Sequence, residues 1–199
     1  MGDETRVNRE KKRFGVLCGI TVIAVLIGTL WPFDFFPPNR VSWLLDERGI
    51  VFRGAGVVLS EAPLKAANTA EQSCSLELLV QPGDIQYHRT VLSFYTPNDN
   101  PRKLLVQQSG KDLLVSNKIV DAQKKLETTE FAVDGVFEQG QLVLLTITSG
   151  PHGTLFYNNG RQSASFPRFR IPPTDLSGQI VLATSPVDYQ PWEGEIRGL

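Results

Sequence analysis

The sequence predicts an all-β sandwich preceded by one transmembrane helix. Phe14–Leu30 holds no charged residue and no proline over 17 positions, a pattern typical of a membrane-spanning helix. The rest of the chain carries short runs rich in Leu, Val, Ile, Phe and Thr, separated by glycine, proline, asparagine and aspartate, which is typical of strands joined by turns. Asn159-Gly160, between two such runs, is a strong hairpin signal.

We expect the apolar run Phe14–Leu30 to stay in the bilayer as a signal anchor spanning residues 14–31. As a helix it covers roughly 25 Å, near the lower limit set by a hydrocarbon core of roughly 30 Å. A cleaved signal peptide has small residues after its apolar run, whereas here Trp31-Pro32-Phe33 follows. A buried core helix is the alternative, but the run is apolar on every face.

Flanking charges predict the orientation of this anchor. The first 20 residues after the run contain only Arg40 and Arg48 as basic residues. Because excess positive charge stays on the cytoplasmic side, we expect residues 1–13 to be a cytoplasmic tail and the domain 41–199 to be periplasmic or extracellular. The predicted location is the cell (inner) membrane, crossed once. The basic residues of the tail are Arg6, Arg9, Lys11, Lys12 and Arg13.

Residues 32–40 are predicted to form a stiff, extended strut at the membrane surface, because Trp31–Pro38 contains three prolines and four aromatic residues. The domain that follows is large enough for one hydrophobic core. The formal net charge is −1, from 20 basic and 21 acidic residues, which gives no field to attract nucleic acid. The predicted partner is therefore the lipid bilayer, contacted through Phe14–Leu30, and no nucleic acid.

The clearest strand is Ser73–Gln81, which ends at Pro82-Gly83. Alternate side chains of this segment are apolar, the period of two expected when one face of a strand packs on a core. Cys74 belongs to the apolar face and is interpreted as a core residue. Cys18 lies in the membrane run, so the domain has a single thiol and the two cysteines cannot pair. The predicted core-facing residues are Cys74, Leu76, Leu78 and Val80.

Further strand signals recur at short spacing along the domain. Asn39–Ser60 is expected to give one or two strands, with glycines between β-branched runs. Asp121–Glu130 is the one segment that could form a helical turn, and Phe131 follows too soon for a substantial helix. The other predicted strands are Thr90–Tyr95, Lys103–Gln108, Leu113–Asn117, Gln141–Thr148, Thr154–Tyr157, Arg161–Phe166 and Gln179–Thr184.

Four segments in order carry a family resemblance: GIVFRGAGVVLS at Gly49–Ser60, SCSLELLVQP at Ser73–Pro82, GQLVLLTITSGPHGTLFYNNGRQ at Gly140–Gln162 and WEGEIRGL at Trp192–Leu199. Together they resemble the laminin-G-like, or concanavalin A-like, domains of bacterial surface proteins. This resemblance implies an antiparallel jelly-roll sandwich over residues 41–199. It also implies that Leu199 falls within the last core strand, so that strand is expected to be truncated.

A narrower resemblance covers GTLWPFDFFPPNRVSWLLDERGIVF, residues 28–52. This segment looks like the front of bacterial membrane proteins in which one helix and a laminin-G-like domain precede a multi-helix VanZ-like domain. The resemblance leaves two alternatives open: a truncated gene product, or a fragment of a longer product in which the sandwich packs on neighbouring membrane segments. Resistance-type activity is not carried over, because the residues that would bear it are not in this sequence.

Glycoside hydrolases also use concanavalin A-like folds, and they need two carboxylates roughly 5–10 Å apart. Glu193 and Glu195 are the candidates, since residues two apart on a strand share a face at about 6.5 Å. Arg197 stands where a third acidic residue is expected. We therefore expect no enzymatic activity and two solvated acids, with a membrane-anchored glycoside hydrolase as the alternative.

Ligand binding is the favoured activity, with a glycan or protein of the cell envelope as the partner. Tyr95, Tyr189 and Trp192 stand beside turns rich in Asp and Asn, a combination of aromatic face and polar edge that suits sugars. Their alternative role is to close the core at strand ends. Asp175 and Asp188, with Glu193, could approach a calcium ion, but no spacing signature supports a metal, so no cofactor is predicted and calcium stays an alternative.

Overall fold

The computed structural model of the chain describes residues 3–30, 38–45, 48–65, 73–96, 104–120, 126–187 and 189–199. The chain forms two compact units, Met1–Pro37 and Pro38–Leu199. The first contains the helix α1, Asp3–Leu30, whose described side chains, at positions 13–29, are all exposed. By length and hydropathy, no helix formed by the described residues qualifies as a membrane span.

Two antiparallel sheets form the second unit. The seven-stranded sheet has the order β1-β2-β13-β4-β9-β10-β11, and the six-stranded sheet has the order β3-β12-β5-β6-β7-β8. In chain order the strands are β1 Val41–Trp43, β2 Ile50–Phe52, β3 Val58–Leu59, β4 Cys74–Pro82, β5 His88–Tyr95, β6 Leu104–Ser109, β7 Asp112–Val120, β8 Leu126–Val133, β9 Val143–Gly150, β10 Gly153–Asn158, β11 Arg161–Phe166, β12 Gln179–Leu182 and β13 Gly194–Gly198.

The core lies between the two sheets and follows the predicted alternation. Along β4, Leu76, Leu78 and Val80 are buried while Ser75 and Glu77 are exposed. Because successive side chains of a strand point to opposite faces, this pattern places one face of each sheet on a shared core. The predicted sandwich is confirmed. Its largest fully buried side chains are those of Trp192, Phe52, Phe94, Phe137 and Phe156.

Most predicted strands are present, with ends shifted by a few residues. Asn39–Ser60 holds three short strands rather than one or two. The helical turn considered for 121–130 does not form at residues 126–130, which belong to β8, while 121–125 lie outside the described residues. All eight residues of β8 pair with β7, and Phe131 is buried. Tertiary pairing therefore outweighs the polar local sequence.

The Asn159-Gly160 turn between β10 and β11 has the predicted geometry. Both residues have positive φ, 50° and 77°, as the type I′ hairpin requires. The Asn159 side chain also accepts a hydrogen bond from the Leu144 amide at 2.9 Å, so this turn is tied to the neighbouring strand β9.

Gly153, at the start of β10, allows an unusually close backbone approach. It has φ of +105°, and a Cβ there would lie 2.5 Å from the Phe166 carbonyl oxygen. We expect Gly153→Ala to lower the free energy of unfolding by about 2–5 kcal/mol, from positive-φ strain plus the clash. Gly135 is the matched control, because its φ is +65° but no atom would lie within 4 Å of a Cβ.

Urea unfolding of the chain in mild detergent measures both variants. Gly135→Ala should lose only about 1–2 kcal/mol. Equal losses in the two variants would show that the approach of Gly153 to the Phe166 backbone contributes nothing.

Candidate functional site

The crossing connection, residues 167–178, links β11 of one sheet to β12 of the other at one end of the sandwich. Side chains from strands of the seven-stranded sheet fix its backbone. The Ile171 amide donates to Ser149 Oγ at 2.8 Å, and the Thr154 hydroxyl donates to the Phe169 carbonyl at 2.9 Å. The Cys74 thiol donates to the Ile171 carbonyl at 3.3 Å. Satisfied buried polar groups of this kind hold a connection in one conformation.

Asn117 fixes the same connection from the six-stranded sheet. Its buried amide nitrogen donates to the Arg170 carbonyl at 3.2 Å and to the Asp175 carboxylate at 3.1 Å, and its amide oxygen accepts the Thr129 hydroxyl. Asp175, a predicted calcium candidate, is thus part of a structural network. Asp188 lies outside the described residues, among which no three His, Cys, Asp or Glu side chains gather as a metal site.

Strands β8 and β11 are the free edges of the two sheets on one side of the sandwich. They meet through an aromatic cluster. Phe131 stacks on Phe166 with centroids 4.2 Å apart and meets Phe169 edge-on at 4.9 Å. These three rings help to line a cavity of about 410 Å³, together with Thr129, Glu130, Ser165, Pro167 and Arg168.

A second cavity, of about 530 Å³, adjoins the first, because both are lined by Thr129 and Arg168. We call the two together the edge cleft. Proline rings form much of the second wall, and such rings give a rigid apolar surface at little entropic cost. The other residues lining this second cavity are Gly150, Pro151, Arg170, Ile171, Pro172, Pro173 and Thr174.

Two exposed arginines bring positive charge to the edge cleft. The Arg170 guanidinium donates to the Pro151 carbonyl, which holds that side chain against the wall. The Arg168 guanidinium makes no hydrogen bond or ion pair with any residue that the structure describes. A guanidinium stays charged at all physiological pH and presents five donors that match a carboxylate or phosphate. The cleft therefore offers anion recognition beside aromatic and proline surfaces.

A third cavity, of about 480 Å³, shares Gly150 and Pro151 with the edge cleft and is lined by Cys74 and His152. Burial, with a further contribution from the Asp175 carboxylate, raises the pKa of the Cys74 thiol. A thiol with a raised pKa stays neutral at pH 7 and is a poor nucleophile. Cys74 also packs against the core, in agreement with its predicted structural role.

The two carboxylates considered for hydrolysis are held by different arginines. Glu193 Oε1 lies 3.2 Å from Arg89 Nη1, and Arg89 also donates to the Pro191 carbonyl at 2.8 Å. Glu195 Oε2 lies 2.7 Å from Arg197 Nη2. Each carboxylate therefore has its own cationic partner.

The predicted aromatic ligand contacts are separated. Trp192 is 0% exposed and donates from Nε1 to Gln108 Oε1 at 2.6 Å, so its expected role as a ligand contact is corrected to that of a core residue. Tyr189 is exposed near the Thr90–Pro191 bridge. Tyr95 is the last residue of β5, five residues or about 17 Å of strand beyond Thr90.

Sequence reasoning missed the edge cleft. Its signal was the segment PRFRIPP at 167–173, in which Phe169 is buried between two exposed arginines. An apolar residue flanked by arginines in a proline-rich connection indicates a fixed backbone that presents charge to solvent. The position of that charge beside Thr129 and Phe131 depends on how the sheet edges meet, which the local pattern does not contain.

No protein-family model matches the sequence, and no curated protein matches it either. Among solved structures, two of the botulinum neurotoxin serotype D binding domain resemble the chain. One gives a TM-score of 0.53 at 12% identity, over 79% of this chain and 40% of that one. The other gives a TM-score of 0.52 at 14% identity, over 79% of this chain and 41% of that one. This chain thus spans about two fifths of those domains.

Weaker likenesses include a SAP-like pentraxin from Limulus polyphemus, with a TM-score of 0.49 at 12% identity over 71% of this chain and 66% of that one. The CBM40 of the Ruminococcus gnavus IT-sialidase gives a TM-score of 0.47 at 10% identity, over 64% of this chain and 74% of that one. At such identities the structural likeness establishes the fold alone. The fold is a jelly-roll β-sandwich of the concanavalin A-like kind, as the sequence resemblance implies.

The raised pKa of Cys74 makes stability fall in alkaline solution. Above about pH 8.5 the thiol of the unfolded chain ionises, whereas the folded chain keeps the proton, so each further pH unit favours the unfolded chain. We expect Cys74→Ala to be less stable than the parent chain at neutral pH, but to lose less of its stability between pH 8 and pH 10. Urea midpoints across that range measure the difference, and parallel losses in both proteins would contradict it.

Proposed function

We propose that this chain is a membrane-anchored binding module of the cell envelope. Helix α1 holds the sandwich outside the inner membrane, and the edge cleft binds an envelope glycan or protein without catalysis. The observation that carries the anchor is the exposure of apolar side chains on all sides of α1. The observation that carries the binding site is the position of Arg168 between two adjoining cavities, where its guanidinium pairs with no described residue.

Lipid is the partner that we propose for the apolar side chains of α1. Phe14 is 70% exposed, Leu17 64% and Ile23 58%, and each such side chain favours removal from water by roughly 1.5–3 kcal/mol. A helix that packs on a globular domain is apolar along one stripe, whereas a helix that is apolar all round is buried or lies in lipid. The Thr21 and Thr29 hydroxyls donate to carbonyls of the preceding turn, which satisfies their donors without water.

The orientation in this proposal follows from the charged flanks. Five basic residues precede the apolar run and two follow within 20 residues, so the amino terminus stays in the cytoplasm. The sandwich then lies in the periplasm or outside the cell. A concanavalin A-like fold suits display there, and one of the similar solved structures is described as a receptor binding domain.

The edge cleft suits a ligand that combines an anionic group with an apolar face. Guanidinium groups pair with carboxylates, and Phe166 and the proline rings offer a surface for sugar rings or aliphatic side chains. Peptidoglycan carries both carboxylates and sugars and is the envelope polymer that we name as ligand. A protein partner of VanZ-like type is the second candidate, favoured only by the sequence resemblance over residues 28–52.

Arginines placed in the middle of α1 test the anchor. We expect Val22→Arg/Leu26→Arg to release the chain from membranes into alkaline carbonate, since each arginine costs about 2.5–3.5 kcal/mol at the bilayer centre. Leu142→Arg/Val187→Arg is the control, because it changes two exposed apolar residues of the sandwich. The control should stay in the pellet. Release of the parent chain, or an inactive alkaline phosphatase fused after Leu199, would contradict the anchor or its orientation.

Charge reversal at Arg168 tests the cleft. We expect purified peptidoglycan sacculi to retain the parent chain in a pull-down and Arg168→Glu to bind at least roughly tenfold more weakly, the cost of losing a hydrogen bond to a charged group. Arg161→Glu is the control, because Arg161 is exposed and lies at the first residue of β11, at the end of that strand away from Arg168. Equal retention of both variants would contradict the edge cleft as the binding site.

A further inference from the structure

A second surface lies on the opposite side of the sandwich from the edge cleft. β1 is the outer strand of the seven-stranded sheet and β3 is the outer strand of the six-stranded sheet. These two edges adjoin, because the Asn39 side chain donates to the Val57 carbonyl at 3.0 Å and accepts from the Val57 amide at 2.8 Å. Asn39 precedes β1 in sequence and Val57 precedes β3.

This side of the sandwich exposes large apolar side chains. Trp43 is 72% exposed and Leu45 is fully exposed on the β1 side. Leu59 is 52% exposed in β3, and Leu64, which pairs with Gly178 just beyond that strand, is 48% exposed. Trp43 lies two residues after Val41, which packs against the core, and therefore shares its face of the strand. We call these four residues the apolar rim.

Basic residues flank the apolar rim. Arg40, Arg53 and Lys65 are exposed there, with Glu61 as the acidic residue described among them. Tryptophan at the level of the headgroups, leucines reaching the acyl boundary and basic side chains extending to the phosphates are the usual composition of a surface that rests on a bilayer.

We propose that the apolar rim rests on the surface of the same bilayer that holds α1, an inference that depends on the proposed anchor. The short segment between α1 and β1 favours the bilayer as the partner of the rim. Residues 31–37 span at most about 25 Å when fully extended, so the bilayer stays within reach of β1 at a high effective concentration. Even weak interfacial contact therefore persists without a dedicated protein partner.

Tryptophan quenching by lipid tests this contact directly. The chain has three tryptophans, Trp31, Trp43 and Trp192, and Trp192 is inaccessible in the core. Trp31→Phe therefore leaves Trp43 as the one reporter that lipid can reach. In vesicles of phosphatidylcholine and phosphatidylglycerol brominated near the headgroup, we expect the full-length Trp31→Phe chain to lose the Trp43 share of its emission. The Trp31→Phe/Trp43→Phe chain should lose none.

Two further variants separate the rim from the anchor. Leu45→Asp/Leu59→Asp in the Trp31→Phe background should restore the Trp43 emission, whereas Leu142→Asp, an exposed leucine elsewhere on the sandwich, should not. Flotation of each chain with its vesicles reports the anchor independently. A chain that floats while Trp43 stays fully bright overturns the contact. The same emission is expected if a second copy of the chain covers the rim, and that outcome also overturns the contact with lipid. A chain that does not float overturns the anchor and this inference with it.

Discussion

Strand β13 joins the two parts of the seven-stranded sheet. In the order β1-β2-β13-β4, β13 is the strand through which β1 and β2 are paired to the rest of that sheet. Its fit depends on Gly194, where a Cβ would lie 2.4 Å from both the Trp192 ring and the Gln81 carbonyl. Trp192 fills the core beneath β13, and its indole nitrogen is satisfied by Gln108. The edge that carries Trp43 is therefore held by the last residues of the sequence.

This pairing sets the distance between the two proposed surfaces. From β1 to β11 the seven-stranded sheet has six strand spacings, which amount to about 29 Å at about 4.8 Å each. The apolar rim lies at one edge and the edge cleft at the other. A sandwich that rests on lipid along β1 and β3 thus directs its cleft away from the membrane, toward the polymers and proteins of the envelope. In the two proposals, membrane contact and ligand binding therefore use opposite edges of the sandwich.

The parts of the fold that sequence could predict are those that depend on local pattern. Alternation in β4 and the positive φ of Asn159-Gly160 both follow from rules that act over a few residues. β8 was missed because its pairing with β7 decides its conformation. Trp192 follows a proline-rich turn, and in the sequence it has the pattern of an accessible aromatic residue. It is buried because Gly194 leaves room for its ring and Gln108 accepts its N–H. Arg168 lines the edge cleft only because β8 and β11 meet beside it, and no local sequence pattern specifies that meeting.

Energy transfer to lipid tests the two-edged arrangement most directly. The background is a Cys18→Ala/Cys74→Ala chain reconstituted in vesicles with acceptor-labelled headgroups. A donor dye is attached either at Glu61→Cys, beside the rim, or at Ser163→Cys, on β11. Both parent residues are exposed. The account predicts strong transfer from position 61 and weak transfer from position 163, because about 29 Å of sheet separates the two edges. Equal transfer, or stronger transfer from position 163, would contradict it.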